Sequence, residues 1–251
     1  MLNRLSNSKM EKRCYLVSRP IDNNKPSITL EWETIGNGGV VPSLLDRKPF
    51  LEHWALCVVT AREFDPASPA GRKAFRRGRY FDMGVGTSER GWLKASSNSD
   101  IHNLRNPLVW TPASIRKITC IEELGSVTCS EFMISWYKKA VLRMWGKYRP
   151  LVWNCQHFAI VLARLVVDSP NCTSKIRLLL SMRSSWLRSV RSNWLENLMV
   201  AYNTVTYIPV VGSIVVSYLA ADGVGDGKVR DTWQQLASFF PELEDVTPCH
   251  W

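Results

Sequence analysis

The stretch PLVWNCQHFAIVLARLVV, residues 150–167, constrains this chain more than any other. Phe158, Ala159, Leu162, Leu165 and Val166 recur at helical spacing, and Asn154 in front of them is a good helix N-cap. The pattern predicts a strongly apolar helix opening at Cys155. A cysteine inside such a helix would pack as a small hydrophobe. Cys155 instead falls in the first turn, where unpaired backbone N–H groups and the helix dipole favour negative charge. The thiolate is the reactive form of cysteine, and helix N-termini lower thiol pKa values. The remaining requirement is a base.

The chain has 251 residues, enough for a real core, with ordinary hydrophobic (45%) and charged (22%) content. Its seven cysteines are odd in number and scattered, with no CxxC pair, and the four histidines do not join them at zinc-ligand spacing. Neither a disulfide framework nor a metal is expected, and no pattern calls for a cofactor. The N-terminus lacks an apolar signal region, so a cytoplasmic, reducing setting is the expectation. A net charge of +10 favours an acidic partner. An anionic membrane surface is the expected one. Nucleic acid is not, because no zinc finger, RNP signature or phosphate-cradling glycine loop occurs.

Along the chain, 1–27 is polar and reads as a loose lead-in. ITLEWETIG reads as a strand, and KPFLEHWALCVVTAREF as an interior strand opening at His53, with apolar residues on both faces. On its own, His53 would be a buried, hydrogen-bonded histidine. Residues 62–79 read as a long basic loop, after which YFDMGVG returns as a short strand to form a hairpin. LVWTPASIRKITCIEELG carries another strand. TCSEFMISWYKKAVLRMW predicts a helix with a Thr128–Glu131 capping box, closed at Gly146. Strands followed by helices give an α+β layout.

HWALCVV and NCQHF together resemble the circularly permuted papain-like group, in which a histidine strand precedes the cysteine helix. NCQHF is most similar to the NCEHF motif of lecithin:retinol acyltransferase-like (LRAT-like) proteins; the PPPDE thiol isopeptidases are more distant. The resemblance spans about residues 48–168. It implies a permuted papain-like (NlpC-type) α+β domain over 28–168, with an antiparallel sheet and a nucleophile helix. It also implies Cys155 as nucleophile, His53 as base and a polar third group on the strand after the histidine. Asp82 of YFDMG is the best match. LRAT-like relatives usually carry a histidine there after a shorter loop, so a strand carboxylate pairing with the basic loop stands beside the orienting role. His157, round the helix from Cys155, reads as structural, and Cys57 as a buried hydrophobe.

Residues 169–251 predict a helical, basic and apolar extension. Lys175, Arg177, Arg183, Arg188 and Arg191 are interleaved with Leu, Met and Trp, which suits either an interfacial membrane helix or a helix packed on the domain. Residues 205–221 carry no charge but include Pro209 and Gly212. A short membrane segment, an inserted hairpin and a buried helix are all open there. DTWQQLASFF predicts an amphipathic helix with Trp233, Leu236, Ala237 and Phe240 on one face. The expected activity is a thiol-dependent acyltransferase or lipid/ester hydrolase. A cysteine peptidase or isopeptidase, or a catalytically silent membrane-bound relative, is the alternative.

Overall fold

The computed structural model describes residues 11–19, 43–47, 52–61, 68–83, 85–87, 93–95, 118–145, 153–167, 169–192 and 225–246. Its centre is a four-stranded antiparallel sheet, and helices cover it, a mixed α+β arrangement. The strands are β1 (Glu11–Arg19), β2 (His53–Ala61), β3 (Arg79–Phe81) and β6 (Cys120–Ser126), in the order β3-β2-β1-β6. A separate two-stranded ribbon pairs β4 (Val85–Thr87) with β5 (Leu93–Ala95).

Strand β1 corrects the reading of 1–27 as a loose lead-in. EKRCYLVSR looks polar because charges sit at both ends, but Cys14, Tyr15, Leu16 and Val17 alternate into both faces of the sheet and are buried. It pairs with β2 across its whole length, from Glu11 with Ala61 to Arg19 with His53. Its other edge pairs with β6 through a bulge, where Cys14 faces Gly125 and Tyr15 faces Glu123. Gly125 takes a φ of 136° there, a conformation that side chains rarely adopt.

One face of β2 presents Trp54, Leu56 and Val58 to the main core. The other presents Ala55, Cys57 and Val59 to a smaller cluster capped by Phe75. Phe75 belongs to α2 (Pro69–Arg76), which lies where a loop was expected. Ser68 accepts from Gly71 N and Pro69 takes the first helical turn, so this part of the expected loop forms a helix start. The expected β2–β3 hairpin forms, with Leu56 opposite Phe81. Another short helix, α1 (Leu44–Arg47), buries Leu44.

The main face is covered by α3 (Glu131–Met144), α4 (Cys155–Val166), α5 (Pro170–Ser192), α6 (Gly225–Phe239) and a 3-10 turn, Pro241–Val246. Helix α3 is capped by Ser130, which accepts from Met133 N, rather than by Thr128. Glu131 becomes its first residue and pairs with Arg79 at 3.3 Å. The helix ends at Met144, before Gly146.

Helix α4 is buried from Cys155 through Ala163, which accounts for its unbroken apolar run. Each fully buried Leu, Ile or Phe there contributes about 1.5–3 kcal/mol. Cys172, Ile176 and Leu179 of α5, and Trp233, Leu236 and Leu243 further on, join the same core. The C-terminal helices therefore complete the core rather than form an appendage to it. The expected apolar face of α6 is observed: Trp233, Leu236 and Phe240 are buried and Ala237 packs against them.

Candidate active site

Three chain segments meet at the end of the sheet. His53 opens β2, Cys155 opens α4, and Asp82 follows β3 directly. The positions are fixed by the backbone: β2 and β3 are neighbours in the sheet, and α4 packs across β2. Asn154 accepts a hydrogen bond from Gln156 N at 3.0 Å, and the Asn154 N–H donates to His157 Nδ1 at 3.5 Å. His157 is thus the second half of a capping box, the structural part expected of it. Burial, and then the nearby Arg183 charge, hold its pKa well below the ordinary value, which suits a neutral ring, and Nδ1 also lies 3.1 Å from Asn154 Oδ1.

Below the cap, Trp153 stacks on Trp145 at 4.0 Å between ring centroids and donates from Nε1 to Trp145 O at 2.7 Å. Phe158 meets Trp145 edge-on at 5.3 Å. This aromatic block sets the angle at which the chain enters α4.

His53 Nε2 lies 2.9 Å from Asp82 Oδ2, and the ring also hydrogen-bonds the Cys155 thiol. With Nε2 engaged by the carboxylate, Nδ1 is the nitrogen left for sulfur. The backbone N–H of Trp54 also donates to that sulfur. Asp82 Oδ1 has Lys138 Nζ of α3 at 4.0 Å. Cys155, His53 and Asp82, each expected from the sequence, are therefore brought together in one line. Asp82 is buried, so it is not an exposed strand carboxylate.

The electrostatics follow from this geometry. Burial alone pulls His53 down, but the Cys155 charge and the hydrogen bonds to Asp82 and Cys155 raise it to about 9. Burial alone pushes the Cys155 thiol up. The His53 charge and hydrogen bond, the Trp54 N–H and the Arg183 guanidinium outweigh this and hold it below the ordinary thiol value. Both directions favour charge separation, thiolate beside imidazolium, in a site where Cys155 is only 3% exposed and His53 1%.

Three further residues of the site were not legible in the sequence. Arg19, paired in register with His53, is buried and feels the charges of Asp82 and Cys155. Gln156 and Arg183 lie behind the nucleophile: Arg183 Nη1 donates to Gln156 Oε1, and Gln156 Nε2 donates to Glu52 O at 2.9 Å. The adjacency of Gln156 to Cys155 was the only available signal; nothing marks Arg183 among its neighbouring arginines.

Cys57 stays on the opposite face of the sheet. Burial pushes its thiol up to about 12, against a hydrogen bond with Tyr80 that lowers it. Among the described residues no group of three or more His, Cys, Asp or Glu could hold a metal ion.

Helix α5 was open to two readings, and over its described side chains it packs on the domain. Lys175 bonds Glu122 at 2.6 Å, Arg177 donates to Asp245 O at 2.8 Å, and Arg183 is buried. Arg183 is buried, whereas Lys175 and Arg177 keep solvent exposure while bonding to the domain. Among the described residues no helix is long and apolar enough to cross a membrane. Residues 205–221 and the strand expected in ITLEWETIG lie outside the described residues. Compared with protein-family models, with curated proteins and with solved structures, the chain finds no match in any of the three.

Proposed function

We propose that this chain is a thiol-dependent acyltransferase or ester hydrolase of permuted papain-like, LRAT-like type. The observation that carries the reading is the buried Cys155–His53–Asp82 line at the N-terminus of α4, closed by the 2.9 Å His53–Asp82 contact. A nucleophile, a base within its reach and a third group that orients the base are what covalent catalysis by a thiol requires.

In the proposed reaction the Cys155 thiolate attacks the ester carbonyl, and the carbonyl electron pair moves onto oxygen. The Cys155 N–H, at the first position of α4, is an orphan helix donor suited to that oxyanion. As the tetrahedral adduct collapses, the C–O bond breaks and the His53 imidazolium gives its proton to the leaving alkoxide. A thioester remains on Cys155. His53, now neutral, takes a proton from water or an alcohol acceptor, which attacks the thioester and releases the acyl group and the thiolate. Asp82 keeps the imidazole ring turned so that Nδ1 faces sulfur throughout. The cover over the nearly buried sulfur must open to admit an ester.

For an acyl-lipid substrate at an anionic membrane surface, the supporting observation is an exposed aromatic patch. Phe132 (77% exposed) and Trp136 (43%) of α3 and Phe239 (56%) of α6 stand on the helices beside the site, and α3 also carries Lys138 next to Asp82. The test is a pair of electrophilic probes that share one acyl chain, an activated ester and the matching amide, applied to wild type and Cys155→Ala. Cys155-dependent turnover of the ester above the amide supports the proposal. Preferential turnover of the amide would replace it by a peptidase, and no turnover of either by a silent relative.

A further inference from the structure

The residues that adjoin the nucleophile and the base are bonded to each other. Gln156, next to Cys155, donates from Nε2 to the carbonyl of Glu52, the residue before His53, at 2.9 Å across 104 positions of sequence. Each end of this link is anchored. Glu52 is held on the strand side by Ser18, whose hydroxyl donates at 2.8 Å, and by the Thr119 hydroxyl, and these two hydroxyls lie 2.9 Å apart. Gln156 is held on the helix side by Arg183 of α5, which donates from Nη1 to Oε1. Gln156 and Arg183 are both almost wholly buried. A polar chain thus runs from α5 through α4 to β2, β1 and the start of β6. Cys155 and His53 sit immediately beside its middle members.

A primary amide is suited to the central place because it has an acceptor and a donor at opposite edges. Gln156 uses the first toward Arg183 and the second toward Glu52. Arg183 fixes the amide's orientation: its donor can meet only the oxygen, which leaves the NH2 edge for the strand. Leucine at 183 would fill space, but nothing would then decide which way the amide points. A buried guanidinium is costly to maintain without a task that needs a cation or a fork of donors. Its neighbours here include the Gln156 carboxamide and the Cys155 sulfur.

We propose that Arg183 is a positioning residue for the Cys155–His53 pair, acting through Gln156, so that the C-terminal helix α5 is part of the machinery that aligns nucleophile and base. This rests on the thiol-nucleophile reading above. Arg183 sets the amide that ties the start of α4 to the start of β2. A bond between neighbours of two reacting groups limits how far those groups can separate, and small misplacement costs much in rate. Among the described residues the other charged groups near Cys155 and His53 are Asp82 after β3, Lys138 on α3 and Arg19 on β1, and the neutral His157 lies within α4.

The experiment is a double-mutant cycle on the full chain: Arg183→Met, Gln156→Met and the two combined, with Arg183→Lys as the conservative variant. The readouts are the pH profile of Cys155 alkylation by iodoacetamide, followed by peptide mass spectrometry, and the thermal unfolding midpoint. Replacing both polar partners by apolar side chains avoids leaving either one buried and unpaired, so the double variant keeps the test open if one single variant fails to fold.

For Arg183→Met the acid limb of the profile moves up by about one pH unit, a roughly tenfold lower rate on that limb. Lysine, which still donates to the amide oxygen, restores most of it. The double variant is only slightly slower than Gln156→Met alone, because the positioning effects act in series and only the direct field of the guanidinium on sulfur, the least of the causes acting on Cys155, remains. A full Arg183→Met shift that persists in the Gln156→Met background would overturn the proposal, because the direct field of the guanidinium on sulfur would then account for all of it. So would a lowered unfolding midpoint with an unchanged profile, which would mean packing alone. A wild-type midpoint at the ordinary thiol value would defeat both this inference and the nucleophile reading. A low wild-type midpoint that Arg183→Met leaves in place defeats only the positioning role.

Discussion

Replacing Asp82 by Asn keeps its shape and removes its charge, so it isolates the contact that orients His53. The bond is 2.9 Å long and joins a His53 side chain that is 1% exposed to an Asp82 side chain that is 11% exposed, so solvent screens it little. Hydrogen bonds to charged groups contribute about 1.5–3 kcal/mol. One pKa unit corresponds to about 1.36 kcal/mol, so losing the charge should lower His53 by about one to two units. Its midpoint should move from about 9 to about 7–8.

The direct assay is an NMR titration of the His53 ring protons in wild type and Asp82→Asn. The functional counterpart is the alkaline limb of ester kcat/KM, which reports loss of the imidazolium that must protonate the leaving group. Stability should follow with a definite sign. The folded pKa of about 9 exceeds the ordinary 6.5, so the protonated ring contributes stability that is complete below about 6.5 and is lost as pH rises through about 9. Asp82→Asn should therefore destabilise most near pH 6 and less near pH 10. A His53 midpoint that stays near 9 in Asp82→Asn would refute the assignment of Asp82 as the orienting group.

Two other substitutions test how α4 is aimed. Trp153→Ala removes a stacked, buried indole and its bond to Trp145 O, and should cost about 3–5 kcal/mol in urea unfolding; a loss below 1 kcal/mol would mean that the aromatic block does not anchor the helix. Asn154→Ala removes the acceptor for Gln156 N and should cost about 0.5–2 kcal/mol, together with slower alkylation of Cys155 at pH 7. Unchanged alkylation in a destabilised protein would separate the cap from the reactivity of the thiol.

The parts of the molecule legible in the sequence are those written in local spacing. Asn154, the apolar residues of α4 and the position of Cys155 follow from capping and helical period. His53 was legible as the first residue of a doubly apolar strand, and Asp82 only through the resemblance. Strand β1 was missed because its charges cluster at the ends and hide a four-residue apolar centre that only the sheet reveals. Helix α2 was missed because residues 62–79 were read as one long basic loop, although Pro69 after Ser68 is a helix start. Arg183 illustrates the harder case. Its partner Gln156 is 27 positions away, and no local pattern separates a buried arginine from an exposed one. The same limit grouped Arg183 with Lys175 and Arg177 on one basic face, where the contact with Gln156 takes Arg183 alone into the interior.

The claim at the centre of this account is that Cys155 is a nucleophile made reactive by His53. The most direct measurement is acyl-enzyme trapping. The protein is mixed with an activated acyl ester at pH 7, quenched in acid, and the site of the added acyl group is read by peptide mass spectrometry. The account predicts a single acyl group on Cys155, formed within seconds and lost in Cys155→Ala. In His53→Ala it should form about 100-fold or more slowly, the range expected for general-base assistance. Acylation spread over Cys129 and the other cysteines, or labelling of Cys155 at an equal rate without His53, would contradict it.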